Sequence, residues 1–173
     1  MNCHRLRAWR CGLLSLVLAL GLCPAALSQS PAAPVRLEVA GDVQKPLSLS
    51  LDDLRRLPHK TIKFMDEQKT EEVYGGVPIE ELLKEARIPQ GAQLRGRALG
   101  MYVLAEGSDG YRVVFFIAEL DADFQDSEIV VADTLNGAPI PDKLGPFRLV
   151  VPHDKRAARS VRTLTSIKVV RGP

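Results

Sequence analysis

The stretch "GRALGMYVLAEGSDGYRVVFFIAEL", residues 96–120, constrains the fold more than any other part of the chain. Two apolar runs meet at Ser108-Asp109-Gly110, and Asp-Gly suits a tight hairpin turn, so the stretch predicts two strands joined there. Punctuation of the same kind recurs along the sequence, with apolar runs set between Gly, Pro and Asp. A chain patterned this way folds as many short strands, and it is too apolar to stay disordered.

The other segments fit that frame. "VRLEVAGDV" alternates Val35, Leu37 and Val39 against Arg36 and Glu38 and ends at Gly41, the signature of a strand. In "LSLSLDDLRRLP", Ser50 is an N-cap, Asp52 and Asp53 fall in the first turn, and Pro58 stops a short helix. "KTIKF" and "EEVY" flank the polar "MDEQKT" as a hairpin. "VPIEELLKEARIP" is apolar at Ile79, Leu82, Leu83 and Ala86, which predicts an amphipathic helix of about ten residues. "SEIVVADTLNGAPI" predicts a strand and a turn at Asn136-Gly137, and "GPFRLVVP" and "TLTSIKVV" predict two more strands. Eight or so strands with two or three short helices make an α+β domain that is mainly β.

The first 28 residues read as an address. Arg5, Arg7 and Arg10 precede the apolar "CGLLSLVLALGLC", which is too short to span a bilayer comfortably, and small residues follow at Ala25, Ala26 and Ser28. Cleavage near Ser28 is expected, with residues 29–34 a flexible leader and residues 35–171 a single domain. An uncleaved anchor is the alternative; lipidation at Cys23 is disfavoured by Leu22 before it. No two of these arginines are adjacent, so the twin-arginine pattern of proteins exported already folded is missing.

Cleavage would change the available chemistry. Cys3, Cys11, Cys23 and Trp9 all lie in the leader, so the mature chain would hold no thiol, disulfide or tryptophan. The 23 basic residues would lose Arg5, Arg7 and Arg10, leaving 20 against 21 acidic ones, a net charge of −1. That balance argues against nucleic-acid binding, which needs a basic excess.

Hydrolytic and zinc chemistries find little support. His59 and His153 have no metal-ligand spacing, and no G-x-S-x-G elbow or Gly-rich phosphate loop is present. Asp109 reads as turn chemistry, and Tyr74 and Tyr102 as core or rim aromatics.

Five pieces in order resemble the molybdopterin-binding domain of the sulfite oxidase family. They are "LEVAGDVQKPLSLSLDDLRRLP", "YGGVPIEELLKEA", "DGYRVVFFIAEL", "VADTLNGAPIP" and "GPFRLVVPHDKRAARSVRTLTSIKV", spread over roughly residues 35–170. The resemblance implies that family's fold, with mixed sheets. It also implies a molybdenum ion held by the pterin dithiolene and by one cysteine, placed between the first helix and the G-V-P helix. Here that stretch is "HKTIKFMDEQKTEEVYGG", which has no cysteine; Asp66 or Glu67 would be a poor substitute for a soft thiolate and reads as part of a solvated turn. At less than half the length of full sulfite oxidases, the sequence is expected to lack their dimerisation domain.

Within "PHDKRAARS" the resemblance implies a loop that holds the pterin phosphate. Lys155, Arg156 and Arg159 are the matching candidates, with His153 beside them, and Arg162 follows closely. Arginine's planar fork suits a phosphate or carboxylate. The alternative is a solvated basic loop paired with Glu80, Glu81 and Glu85.

Three functions follow. The first is an exported, periplasmic or secreted binding module without a cofactor, for a small anion or a partner protein. The second is a molybdopterin-dependent oxidoreductase, or a subunit of one, that holds the pterin without a cysteine. The third is a protein-interaction module with no small ligand. In all three the protein binds no nucleic acid and, once cleaved, no membrane.

Overall fold

Period-two alternation builds two sheets, and the computed structural model describes residues 35–66 and 68–172. The expected signal and leader, with their cysteines and Trp9, lie outside the described residues, as does Glu67.

Strands β1 (Leu37–Gly41) and β2 (Leu47–Leu49) precede helix α1 (Leu51–Arg55). The hairpin β3 (Lys60–Met65) and β4 (Glu71–Pro78) leads into helix α2 (Ile79–Glu85). A second hairpin follows, β5 (Met101–Gly107) and β6 (Arg112–Phe116), then β7 (Val130–Leu135), β8 (Ala138–Pro139), β9 (Arg148–Val150) and β10 (Leu164–Arg171). The first sheet runs β2-β1-β10-β5-β6 and is mixed, because β1 lies parallel to β10. The second runs β3-β4-β7-β8, with β9 also paired to β7.

Local chemistry accounts for the element ends. Ser50 and Asp53 form a reciprocal capping box at the start of α1. Helix α2 is shorter than the predicted ten or so residues, at seven. Arg87 adopts a left-handed φ of 59° and Ile88 N donates back to Leu83 O at 3.0 Å, which closes the helix early. Asn136 and Gly137 both have positive φ, the geometry of a type I′ turn, as their sequence predicts. Gly110 N donates to Gly107 O and Gly110 is also left-handed, so the β5–β6 connection turns where expected. Ten strands are found among the described residues against the eight or so predicted; some are only two or three residues long.

The main core lies against the first sheet and both helices, with Leu37, Val39, Leu82, Phe115 and Ile167 buried. Each such side chain contributes about 1.5–3 kcal/mol. A second, smaller cluster lies on the other side of the second sheet: Ile62, Phe64, Tyr74, Val130, Ala132, Ile140 and Val150, with Leu144 and Ala157 against it. Sheet β3-β4-β7 is therefore covered on both faces. The 141–160 segment supplies that second cover, and it is also the segment that carries the basic loop.

Candidate functional site

Strand alternation decides where Arg148 goes. On β9, Leu149 joins the main core, while Val150 joins the small cluster. Arg148 shares Val150's face and pairs in register with Ala132 of that same cluster, so a cation enters an apolar layer.

The layer is adapted to it. Arg148 is 5 % exposed, and its guanidinium carbon lies 4.9 Å from the Tyr74 ring centroid and 5.4 Å from that of Phe64. The two rings meet edge to face at 5.9 Å. Desolvated cation–π contacts of this kind are worth about 2 kcal/mol. Arg148 Nη1 donates to the Tyr74 hydroxyl, which in turn donates to Glu72 Oε2 at 2.8 Å. Burial pulls Arg148 below the ordinary arginine range, with Tyr74 and Glu72 opposing it. Burial likewise pushes the Tyr74 hydroxyl well above its usual value, and Arg148 opposes that shift. Arginine still keeps its charge under such conditions. Arg148 Nε, moreover, is fully buried and has no partner among the described residues.

Arg148, Ala157 and Arg162 line two adjoining cavities, of about 220 and 130 Å³. Asp109, Tyr111 and Ser160 complete the larger arm; Phe64, Asp66 and Glu72 border the smaller. Arg162 is exposed and makes no ion pair among the described residues. The Tyr111 hydroxyl donates to Ala158 O at 2.5 Å, and Ser160 Oγ accepts from Val151 N at 3.1 Å, so the loop wall is tied to both sheets.

The four residues predicted from the sequence do not converge on one anion. Arg159 is occupied: its Nε and Nη2 donate to Asp154 at 2.7 Å each, and its Nη1 donates to Glu119 at 2.9 Å. Its guanidinium also lies 5.0 Å from the Phe115 ring centroid. The Asp154 bonds, helped by Glu119, raise its pKa further above the arginine range. His153 turns the other way, 3.1 Å from Glu128, and lines a separate cavity of about 410 Å³ beside Glu80, Asp126 and Glu128. Lys155 and Arg156 are exposed and make no ion pair among the described residues. Pairing of this loop with Glu80, Glu81 and Glu85 is not what forms: Glu81 pairs with Lys84, Glu85 with Lys45, and Arg159 with Asp154 and Glu119.

Arg148 was the residue missed by the sequence reading. Its signal is a lone charge inside the apolar run "PFRLVV". Asp133, the buried acid of the second sheet, makes a structural pairing: its Oδ2 lies 3.4 Å from His59 and 3.6 Å from Arg55, joining the end of α1 to β7, while its Oδ1 is buried without a partner among the described residues. Among the described residues, no three His, Cys, Asp or Glu side chains are grouped to hold a metal ion.

A family model described as the oxidoreductase molybdopterin binding domain matches residues 25–173. No curated protein matches the chain. Among solved structures, the sulfane dehydrogenase SoxCD from Paracoccus pantotrophus aligns with a TM-score of 0.60 and 24% identity. That alignment covers 78% of this chain and 38% of the SoxCD chain, so it establishes likeness of fold over a minority of the larger protein.

Proposed function

The chain belongs to the oxidoreductase molybdopterin-binding domain family, and on that premise we propose that it is an exported, cofactor-free member of the fold that binds a small anion between Arg148 and Arg162. The supporting observation is the buried Arg148 guanidinium with its unpartnered Nε. A buried donor left unpaired costs about 1–3 kcal/mol, and more on a charged group; Arg148 lines both arms, so an oxyanion seated there offsets part of the cost of burying its charge. Arg162 supplies a second cation at the same cavity wall. Lys155 and Arg156 are exposed on the loop directly before Ala157 and line neither arm. Arg159 braces the loop, and His153 takes no part.

The family's cofactor does not fit these residues. The metal wants a thiolate, and the sequence has no cysteine after Cys23. The sulfur in the described part of the β3–β4 hairpin is the Met65 thioether, 56% exposed and on the strand face opposite Phe64. With adjoining arms of about 220 and 130 Å³, the groove also lies at the small end of the roughly 300–1,000 Å³ of ordinary small-molecule sites. Their size suits a small anion better than a pterin.

Export is supported by Arg5, Arg7 and Arg10 ahead of an apolar core, and no helix among the described residues is long and apolar enough to cross a membrane. The family match itself favours the alternative, an oxidoreductase that holds molybdopterin without a cysteine. Plasma mass spectrometry and a visible spectrum on protein from the exported fraction separate the two. The proposal expects neither molybdenum nor a chromophore, and near-stoichiometric metal would replace it with the alternative. A thermal-shift panel of sulfate, phosphate and acetate tests the anion itself, since a ligand at 100 times its Kd stabilises by about 2.7 kcal/mol. No shift with any of the three, in a metal-free protein, would leave the interaction module.

A further inference from the structure

The groove at Arg148 and Arg162 is not basic throughout. Asp66 and Glu72 line its smaller arm, and Asp109 lines the larger. In so small a space, opposite charges normally close on one another, as Arg159 does on Asp154 and Glu119 at 2.7 and 2.9 Å. These do not. Arg162, Asp66 and Asp109 form no ion pair among the described residues, and Glu72 reaches Arg148 only at 4.0 Å. Asp66 uses Oδ1 to accept from Thr70 N at 2.7 Å, and its Oδ2 has no hydrogen bond among the described residues. Glu72 uses Oε2 for the Tyr74 hydroxyl, and Oε1 is likewise left over. Both acids are half-buried, where the lower effective dielectric strengthens their attraction for a cation.

Charges of both signs that approach no closer than 4.0 Å, with Asp66 Oδ2 and Glu72 Oε1 left without a partner among the described residues, complement a ligand that carries both signs itself. Resting on the anion reading above, we infer that the ligand is a small zwitterion. Its anionic head lies between Arg148 and Arg162. Its ammonium group, carried on the same two- or three-carbon frame, lies on Asp66 and Glu72. An anion without a cation would leave the two carboxylates facing it across the smaller arm, and like charges there repel it. The 130 Å³ of that arm holds a short frame and no more.

Calorimetric titration with matched pairs tests this directly: taurine against ethanesulfonate, and β-alanine against propionate. Each pair keeps the head group and frame and differs in the ammonium. The expected result is at least tenfold tighter binding of taurine than ethanesulfonate, and of β-alanine than propionate. In the Asp66→Asn, Glu72→Gln double variant the ratio falls to within threefold. Asn and Gln keep the acceptors for Thr70 N and the Tyr74 hydroxyl; should the double variant misfold, Asp66→Asn alone lowers the ratio by at least threefold. Equal binding within each pair, or tighter ethanesulfonate and propionate, overturns the zwitterion while leaving the anion site standing. If none of the four probes binds, the anion reading fails with it.

Discussion

The guanidinium of Arg148 lies 4.9 Å from the ring centroid of Tyr74 and donates from Nη1 to the hydroxyl of that same side chain. Tyr74 thus supplies both the face and the acceptor that make a buried cation tolerable, and its hydroxyl in turn donates a hydrogen bond to Glu72 Oε2 at 2.8 Å. Removing either partner has a different consequence.

Tyr74→Phe keeps the ring and deletes the acceptor. Arg148 then has a second unpaired buried donor, and Glu72 loses its hydrogen bond. Stability falls by about 1–3 kcal/mol, measured as a lower midpoint in urea at unchanged slope. Arg148→Met removes the cation itself and leaves Tyr74 and Glu72 bonded to each other. Replacing a buried charge by an apolar side chain of similar reach is near neutral or stabilising, so this variant folds as well as the wild type and loses anion binding.

Arg159 and Arg156 stand three residues apart in the basic loop and differ in role. Arg159→Ala breaks the Asp154 and Glu119 bonds and the Phe115 contact. Discounted for its 40% exposed side chain, the loss is about 1–2 kcal/mol. Arg156→Ala stays within about 0.5 kcal/mol. Thermal denaturation of the two single variants checks the order, and equal effects would contradict it.

The α1 cap makes a pH-dependent contribution. The Ser50 hydroxyl, then the Ser50 backbone N–H, hold the Asp53 carboxyl below its ordinary value. The unfolded chain therefore binds a proton at Asp53 at a pH where the folded one does not. This stability is fully present above the ordinary carboxylate pKa, near 4, and is lost as pH falls through the lower folded value. Ser50→Ala lowers the melting temperature by roughly 3–6 °C at neutral pH. The difference from wild type shrinks below about pH 4.

Gly76 lies where β4 meets β7, at a shift in strand register. A Cβ there would run into the Val131 carbonyl oxygen and lie 2.5 Å from Ala132 Cα, and both obstacles are backbone. Gly76→Ala is expected to cost about 3 kcal/mol, against less than about 0.5 kcal/mol for Gly100→Ala, where nothing lies within 4 Å. Urea denaturation of the pair tests whether the bulge needs the missing side chain.

Most strands and both helices were legible because their signals are local. Ser50 before two aspartates, Asn136-Gly137, and the alternation of Leu37 and Val39 each need only a few neighbours. The site was less legible because its parts come from far apart. Arg148, Phe64, Tyr74 and Arg162 sit on three strands and a loop, and the strands meet only through the pairing of β3 with β4 and of β4 and β9 with β7. The "DKRAARSVR" run drew attention to its charge density, yet density does not say which guanidinium is already spoken for. Asp154, five residues before Arg159, was within reach of a sequence reading; Glu119, 40 residues away, was not.

The most direct test is calorimetric titration of sulfate into protein purified from the exported fraction, run on the wild type, Arg162→Ala and Arg148→Met. The account predicts saturable one-site binding by the wild type, at least tenfold weaker binding (about 1.4 kcal/mol) by Arg162→Ala, and none by a folded Arg148→Met. No binding by the wild type, or equal binding by all three, would contradict it.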